Sequence, residues 1–304
     1  MIKGADFLPM FEPGDPPAVT RFAPTPSGYL HVGHAYAALV AWESARAVGG
    51  RFLLRMEDID RQRCRTEFEQ GIRDDLRWLG LYWDGPVVRQ SDRMDLYDQA
   101  LSQLDRLGVL YPCFCTRRRI RVEIAHAGQA PHGPAGEAIY PGICRSLDVG
   151  ERRHRIGAGE PYALRLDVGR ALELSGALTW YDVRAGTVRA RPETLGDVVL
   201  ARKDIPTSYH LAVTVDDARQ GVNLVTRGED LFEATHVHRL LQALLGLRTP
   251  RYYHHNLVAD ANGLRLAKRN QAMTLRLLRQ SGRRPNEVWR LLGLPDPAPA
   301  VAAQ

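Results

Sequence analysis

The spacing of apolar positions changes along this chain, and each change marks an element. Residues 19–23 form a short apolar-leaning run that Pro24 ends, which predicts a first strand. The stretch Pro24-Thr-Pro-Ser-Gly-Tyr-Leu-His-Val-Gly-His34 is punctuated by proline and glycine and reads as a loop. From about Ala35 the spacing becomes helical, with Ala35, Ala38, Leu39, Trp42 and Ala45 on one face until Gly49-Gly50 stops it. Residues 51–55 are apolar at their centre without alternation, as a strand buried on both faces is. Strand, glycine-bearing turn, helix and strand make a βαβ unit, hence a parallel sheet with a right-handed crossover.

Thr66-Glu-Phe-Glu69 has the form of a capping box, opening a helix whose core face is Phe68, Ile72, Leu76 and Leu79. A further helix is predicted over about residues 92–107. Between Tyr111 and about Arg191 the pattern turns to cysteines, a Gly/Pro/Ala-rich stretch at 127–136, and short strand-like runs such as 164–168. This region reads as an insertion. Strands are predicted again at 197–200 and 209–215, followed by a helix over 235–245 with Val237, Leu240, Leu241 and Leu244 on one face. The Ala/Pro-rich residues 295–304 have the composition of a disordered tail.

Composition narrows the setting. With 44% hydrophobic and 25% charged residues the chain can build an ordinary globular core. No run approaches the roughly 20 apolar residues of a membrane helix, and the N-terminal stretch lacks the apolar centre of a signal peptide. A cytoplasmic protein without a membrane partner is expected. The 41 basic residues exceed the 35 acidic ones, which suits a polyanion such as RNA, although an arginine-rich genome gives the same excess. Of the cysteines at 64, 113, 115 and 144, the last three lie close together, which in a reducing compartment favours metal over disulfide.

His31-Val-Gly-His34 follows the first strand and opens a helix, where free N–H groups and the dipole attract phosphate. Gly33 would let a nucleotide approach the backbone, and the two imidazoles would stabilise charge on transferring phosphoryl oxygens. The Gly28-x4-Gly33 spacing is that of a P-loop, but His34-Ala35 stands where Lys and Ser/Thr are required. A metal at His31 and His34 lacks a completing carboxylate and histidine.

Arg21-Phe-Ala-Pro-Thr-Pro-Ser-Gly-Tyr-Leu-His-Val-Gly-His-Ala35, followed by Gly50-Arg-Phe-Leu-Leu-Arg-Met-Glu-Asp-Ile-Asp60, resembles the two-part N-terminal signature of class I glutamyl-tRNA synthetases. Thr25, Ser27 and Ile59 depart from that pattern only slightly. Residues 202–217 and Arg227-Gly-Glu-Asp230 extend the resemblance over about residues 19–280. It implies a Rossmann-like α/β catalytic domain, its first half over residues 1–110 and its second over 196–250. An inserted zinc-bearing α+β subdomain would occupy 111–195, and a loop with a short helical part 251–294.

Glutamate carries two carboxylates and one ammonium, so a selective site needs cationic partners and one anionic partner. The family's glutamate-binding residues fall on Arg21, Ala23, Thr25, Glu57, Tyr209 and Arg227. Arg55, Asp58 and Asp60 are expected to form a structural charge network. In the family a lysine-rich loop of K-M-S-K-S type neutralises the departing pyrophosphate. Gly263-Leu-Arg-Leu-Ala-Lys-Arg269 stands at that place, with Arg265 for the first lysine, Ala267 for the serine and Lys268 for the second lysine. His31, Gly33, His34, Arg265 and Lys268 are thus the expected ATP-binding set, with Mg2+ accompanying ATP, and His31, His34 and Lys268 the catalytic members.

Three thiolates at Cys113, Cys115 and Cys144 need a fourth ligand for tetrahedral zinc, and His126 and His132 are the generic candidates. The spacing Cys113-x-Cys115…Tyr140-x3-Cys144 resembles that of the glutamyl-Q tRNA(Asp) synthetases, which implies Tyr140 as the fourth ligand of a structural Zn2+. Cys64 is expected to stand apart. The basic run 116–121 is a candidate for phosphate contacts. The chain ends about 35 residues after Lys268, where full-length glutamyl-tRNA synthetases continue into anticodon-binding domains. The resemblance therefore implies a monomeric enzyme that forms glutamyl-adenylate and transfers glutamate to queuosine in the tRNA(Asp) anticodon stem-loop. A shortened synthetase charging the tRNA 3′ end and a non-catalytic paralogue binding RNA or amino acid are the alternatives.

Overall fold

The computed structural model describes residues 16–116, 139–258 and 274–292. Arg265, Ala267 and Lys268 lie outside the described residues, as do the basic run from Arg117, His126, His132 and the 295–304 tail.

The predicted βαβ unit is present. Strand β1 (Val19–Phe22) pairs in parallel with β2 (Arg51–Met56) across helix α1 (Val32–Arg46). The helix starts three residues earlier than its apolar face suggests, because His31 caps it. Gly50 is where α1 gives way to β2: a Cβ there would lie 2.0 Å from the carbonyl oxygen of Ala18, so the tight start of the β1–β2 pair requires glycine. Helix α2 (Thr66–Trp78) leads to β3 (Val88–Arg89), which pairs in parallel with β2. Thr66 to Glu69 does not form the expected capping box. Arg65 is the N-cap and makes no side-chain capping bond, while Glu69 is drawn off by Arg73 and Arg89 at 2.5 and 2.7 Å.

Helix α3 (Met94–Arg106) is followed by β4 (Leu110–Cys113), which joins β5 (Ala163–Leu166) and β8 (Val199–Arg202) in an antiparallel sheet. Helix α4 (Val149–Gly157) precedes β5. β5 ends before Val168 because Asp167 accepts from Arg170 N and so caps α5 (Val168–Ser175). β6 (Thr179–Asp182) and β7 (Gly186–Arg189) form a hairpin. β6 also pairs in parallel with β10 (Arg251–His255), which pairs in parallel with β9 (Leu224–Gly228). Asn223 links β9 to β1: Val19 N donates to its Oδ1 at 2.7 Å, and its own N–H donates to Val19 O at 3.1 Å. The carboxyl ends of β1, β2 and β9 thus come together.

Residues 209–215 are helix, not strand: α6 runs Tyr209–Arg219. Ser208 caps it by accepting from Leu211 N, and Leu211 through Asp217 are all buried. A helix buried on nearly all sides has no amphipathic stripe, so its spacing resembles a buried strand. Helix α7 (Ala234–Leu244) packs on α6, and α8 (Leu275–Gln280) and α9 (Pro285–Leu291) close the described chain. One apolar core fills the space between α1, α2 and the last two helices, and a second lies among α3, α6 and α7.

Candidate active site

A cleft of about 410 Å³ opens at the carboxyl edge of the parallel strands. Arg21 comes from β1, Glu57 from just beyond β2, Arg227 from β9 and Tyr209 from the first turn of α6; all four line it. Ala23, Thr25 and His34 also line it, and Thr226 joins them, while His31 and Gly33 of the expected nucleotide set are not among its lining residues.

The charges around this cleft are arranged in two distinct ways. Arg21 donates through Nε to Asp217 Oδ1 at 3.0 Å and through Nη1 to the Thr226 carbonyl at 3.1 Å. Asp217 also accepts from the wholly buried Arg55 at 2.9 Å. Arg55 approaches Glu57 and Asp216 at 3.8 Å each. Asp216 in turn accepts from Gln90, Arg93 and Tyr97. The expected structural role of Arg55 is met in this network. Asp58 lies apart from it, accepting from the N–H and hydroxyl of Ser91. Burial, reinforced by Asp217 and Asp216, pushes the Glu57 carboxyl up to about 7 against the pull of Arg55 and Arg21.

Arg227 is 6% exposed, and among the described residues its hydrogen-bond partners are all uncharged. Its Nε donates to His254 Nε2 at 3.0 Å and its Nη2 to Thr235 Oγ1 at 2.5 Å. Its Nη1 reaches the Tyr209 hydroxyl at 3.3 Å and lies 3.2 Å from His238 Nδ1. Burial and the guanidinium itself hold His238 well below the usual imidazole range, and His254 is lowered to about 4 mainly by burial.

The HVGH loop departs from the picture of free N–H groups. His31 Nδ1 accepts from Gly33 N at 3.1 Å, and His34 Nδ1 accepts from His31 N at 3.2 Å. The two rings stack with centroids 3.7 Å apart. Those amides are satisfied internally, and a Cβ on Gly33 would meet the His31 ring at 3.0 Å. The glycine therefore makes room for the capping imidazole. Because both Nδ1 atoms accept, each ring carries its proton on Nε2. Burial lowers both pKa values, that of His34 to about 4, so at neutral pH these are uncharged Nε2–H donors.

The Sγ atoms of Cys113, Cys115 and Cys144 lie within 4.8 Å of one another. The Tyr140 oxygen joins them, 3.3 Å from Cys113 Sγ and 3.7 Å from Cys115 Sγ, and Cys115 Sγ is 3.5 Å from Cys144 Sγ. Tetrahedral zinc with metal–ligand bonds of ordinary length sets such donors about 3.5–3.8 Å apart, so the three thiols and the phenol fit one ion. Arg165 lies 3.8 Å over the Tyr140 ring, a cation beside a cluster that would carry negative charge. Cys64 is absent from this group.

Sequence reasoning included Asp216 and Asp217 in the resembling segment 202–217 but gave them no role, although two adjacent acids directly follow the apolar run Leu211 to Val215. It also gave no part to Asp182, Thr235, His238 and His254. Nothing in their spacing marks them, because they converge from three separate elements.

Nearly the whole described chain, residues 17–295, matches the family model of the catalytic domain of class I tRNA synthetases (E and Q). The chain belongs to that family and is a ligase. It is 53% identical over 283 residues to the Glutamyl-Q tRNA(Asp) synthetase of Rhodobacter capsulatus, covering 91% of this chain and 100% of that one. A second relative of the same name, from Nocardia farcinica, is 46% identical over 92% of this chain and 86% of its own length. Among solved structures, the glutamate-tRNA synthetase of Elizabethkingia anophelis superposes with a TM-score of 0.72 at 29% identity, over 88% of this chain. The chain spans about half (54%) of that larger enzyme. Among the described residues no helix is long and apolar enough to cross a membrane.

Proposed function

We propose that this chain activates L-glutamate with ATP and transfers it to the queuosine base in the anticodon loop of tRNA(Asp). The observation that carries the reading is Arg227, a buried guanidinium in the cleft whose partners among the described residues are all neutral. A buried cation is costly without an anion, and a carboxylate-bearing substrate supplies one. Arg227 and Tyr209, with the N–H donors that Arg21 does not spend on Asp217 and Thr226, hold the side-chain carboxylate. Glu57 accepts from the α-ammonium, and Ala23 and Thr25 wall the site. That leaves the α-carboxylate to face ATP.

An oxygen of the α-carboxylate attacks the α-phosphorus, and the bond to pyrophosphate breaks. His31 and His34 offer their Nε2–H groups to the phosphoryl oxygens as charge develops. Arg265 and Lys268 take the departing pyrophosphate, and Mg2+ enters with ATP. A hydroxyl of the queuosine ring then attacks the acyl carbon and AMP leaves. No side chain acts as a covalent nucleophile; positioning and charge stabilisation suffice. Cys113, Cys115, Tyr140 and Cys144 would hold a structural Zn2+ whose shell is closed to substrate. The transfer to queuosine is supported by the relatives' name and by the Cys3Tyr cluster, and a monomer in the cytoplasm is the setting in which we expect it.

Glutamate-dependent ATP–pyrophosphate exchange without tRNA is the first test, and its absence would favour a non-catalytic binder. Lys268→Ala should slow exchange at least about tenfold, the scale of one lost transition-state charge contact. Labelled glutamate should then appear on queuosine-containing tRNA(Asp) and not on queuosine-free tRNA(Asp). Label on the terminal adenosine instead would make this a shortened glutamyl-tRNA synthetase.

A further inference from the structure

We infer that Asp182 and His254 are positioning residues for Arg227, together fixing the plane in which its guanidinium meets a substrate carboxylate. This rests on reading the cleft as a glutamate site.

The geometry defines a directed chain of hydrogen bonds. His254 Nδ1 is 2.7 Å from Asp182 Oδ2. A carboxylate only accepts, so the ring must carry its proton on Nδ1, and Nε2 is left as a bare acceptor. That nitrogen lies 3.0 Å from Arg227 Nε. Asp182 is itself held by the hairpin turn, accepting from Arg184 N at 2.9 Å and Ala185 N at 3.0 Å through Oδ1. Neither Asp182 nor His254 is more than 3% exposed. The His254 ring is closed in by Tyr252, stacked at 5.9 Å between centroids, and by Trp180 and Phe232 at 5.8 and 5.0 Å. That aromatic enclosure strips water from the ring and keeps it neutral despite its carboxylate partner. Thr235 Oγ1, 3.2 Å from His254 Nε2, accepts from Nη2 beside it, so the guanidinium is gripped at both Nε and Nη2.

The arrangement solves an electrostatic problem. A carboxylate touching Arg227 would steady it but would occupy the edge that substrate needs. Asp182 stands one imidazole away, so its charge offsets that of the buried guanidinium while Nη1 meets the neutral Tyr209 hydroxyl and His238 Nδ1 rather than a carboxylate. Asp182 belongs to the β6–β7 hairpin, which joins the parallel strands through the pairing of Asp182 with Tyr252. A segment from within the expected insertion thus reaches the candidate amino-acid site.

The test uses the whole chain with Asp182→Asn, His254→Gln and the double variant, in glutamate-dependent ATP–pyrophosphate exchange. Each single change should raise the glutamate KM by at least about tenfold, with the ATP KM and kcat within about threefold. The double variant should be no worse than the worse single, because both act through one guanidinium. Nitrogen-15 shifts of the ring should show Nδ1–H with bare Nε2 in the wild type, and a mixed population in Asp182→Asn. A glutamate KM unchanged within twofold, equal rises in both KM values, or an Nε2-protonated wild-type ring would each overturn the inference. If Asp182→Asn fails to fold, His254→Gln and the wild-type ring spectrum decide. A wild type with the expected tautomer but no glutamate-dependent exchange would sink the glutamate reading and this role with it. Active wild type with unaffected variants would sink the positioning role alone.

Discussion

Arg21 and Arg227 flank one cleft from neighbouring strands and are equally buried, at 5% and 6% exposed, yet their electrostatic situations are opposite. Arg21 has its counter-ion in place: Asp217 sits 3.0 Å away and is shared with Arg55. Arg227 has four uncharged partners and an anion only at one remove, through His254. A motif counts both as cationic ligands of the same rank. The structure separates a guanidinium already built into an ion network from one that substrate would complete. The first supports the fold as well as any ligand, and the second has most to gain from a ligand.

The sharpest break of this comparison is Arg227→Met. We expect kcat/KM for glutamate to fall by about a thousandfold, roughly 4 kcal/mol of lost transition-state binding. The thermal midpoint should hold or rise, since an apolar side chain replaces a buried cation without a direct counter-ion. On the other side, Asp217→Asn removes the counter-ion that Arg21 and Arg55 share, leaving Arg55 with only the longer contacts to Asp216 and Glu57 among the described residues. Removing one partner of a buried pair costs about 3 kcal/mol, so urea denaturation should show a clear loss of stability. If Arg227→Met lost as much stability as Asp217→Asn, the two guanidiniums would be equivalent after all.

Much of this was legible in the sequence, and the limits have physical causes. The βαβ unit could be read because α1 and β2 have different apolar periods, and the cleft's ligands because Arg21 and Glu57 lie in a long two-part signature. Tyr140 was reachable only through the C-x-C…Y-x3-C resemblance, since composition favours histidine as a fourth ligand. The strand predicted over 209–215 failed because burial on all sides of α6 erased helical amphipathicity. That error also hid the role of Asp216 and Asp217, which depends on facing Arg21 and Arg55 from a helix. The capping role of His31 was invisible, because imidazole is not among the usual N-cap side chains. The partners of Arg227 come from α6, α7 and β10, with Asp182 of β6 behind them, and no local pattern links positions that distant.

The smallest expected effect concerns Glu57, the only acid that lines the cleft among the described residues. It faces Arg55, Arg21, Asp217, Asp216 and Tyr209, and burial raises its pKa to about 7. In the free enzyme it therefore titrates near neutrality, and a protonated carboxyl cannot pair with an ammonium. Below pH 7, kcat/KM for glutamate should fall by up to about tenfold per pH unit, while kcat stays flatter because bound ammonium holds Glu57 ionised. Stability carries the complementary sign. The folded chain keeps a proton on Glu57 that the unfolded chain has released between the ordinary carboxylate value of 4.5 and about 7. This group's contribution is thus present at low pH and is lost as pH rises through that window. Glu57→Gln should flatten the kcat/KM profile, and its thermal midpoint should gain on the wild type between pH 5 and pH 7. A kcat/KM profile for the wild type that stays level down to pH 5 would mean that the ammonium finds its partner elsewhere, and the cleft would then be arranged around its guanidiniums alone.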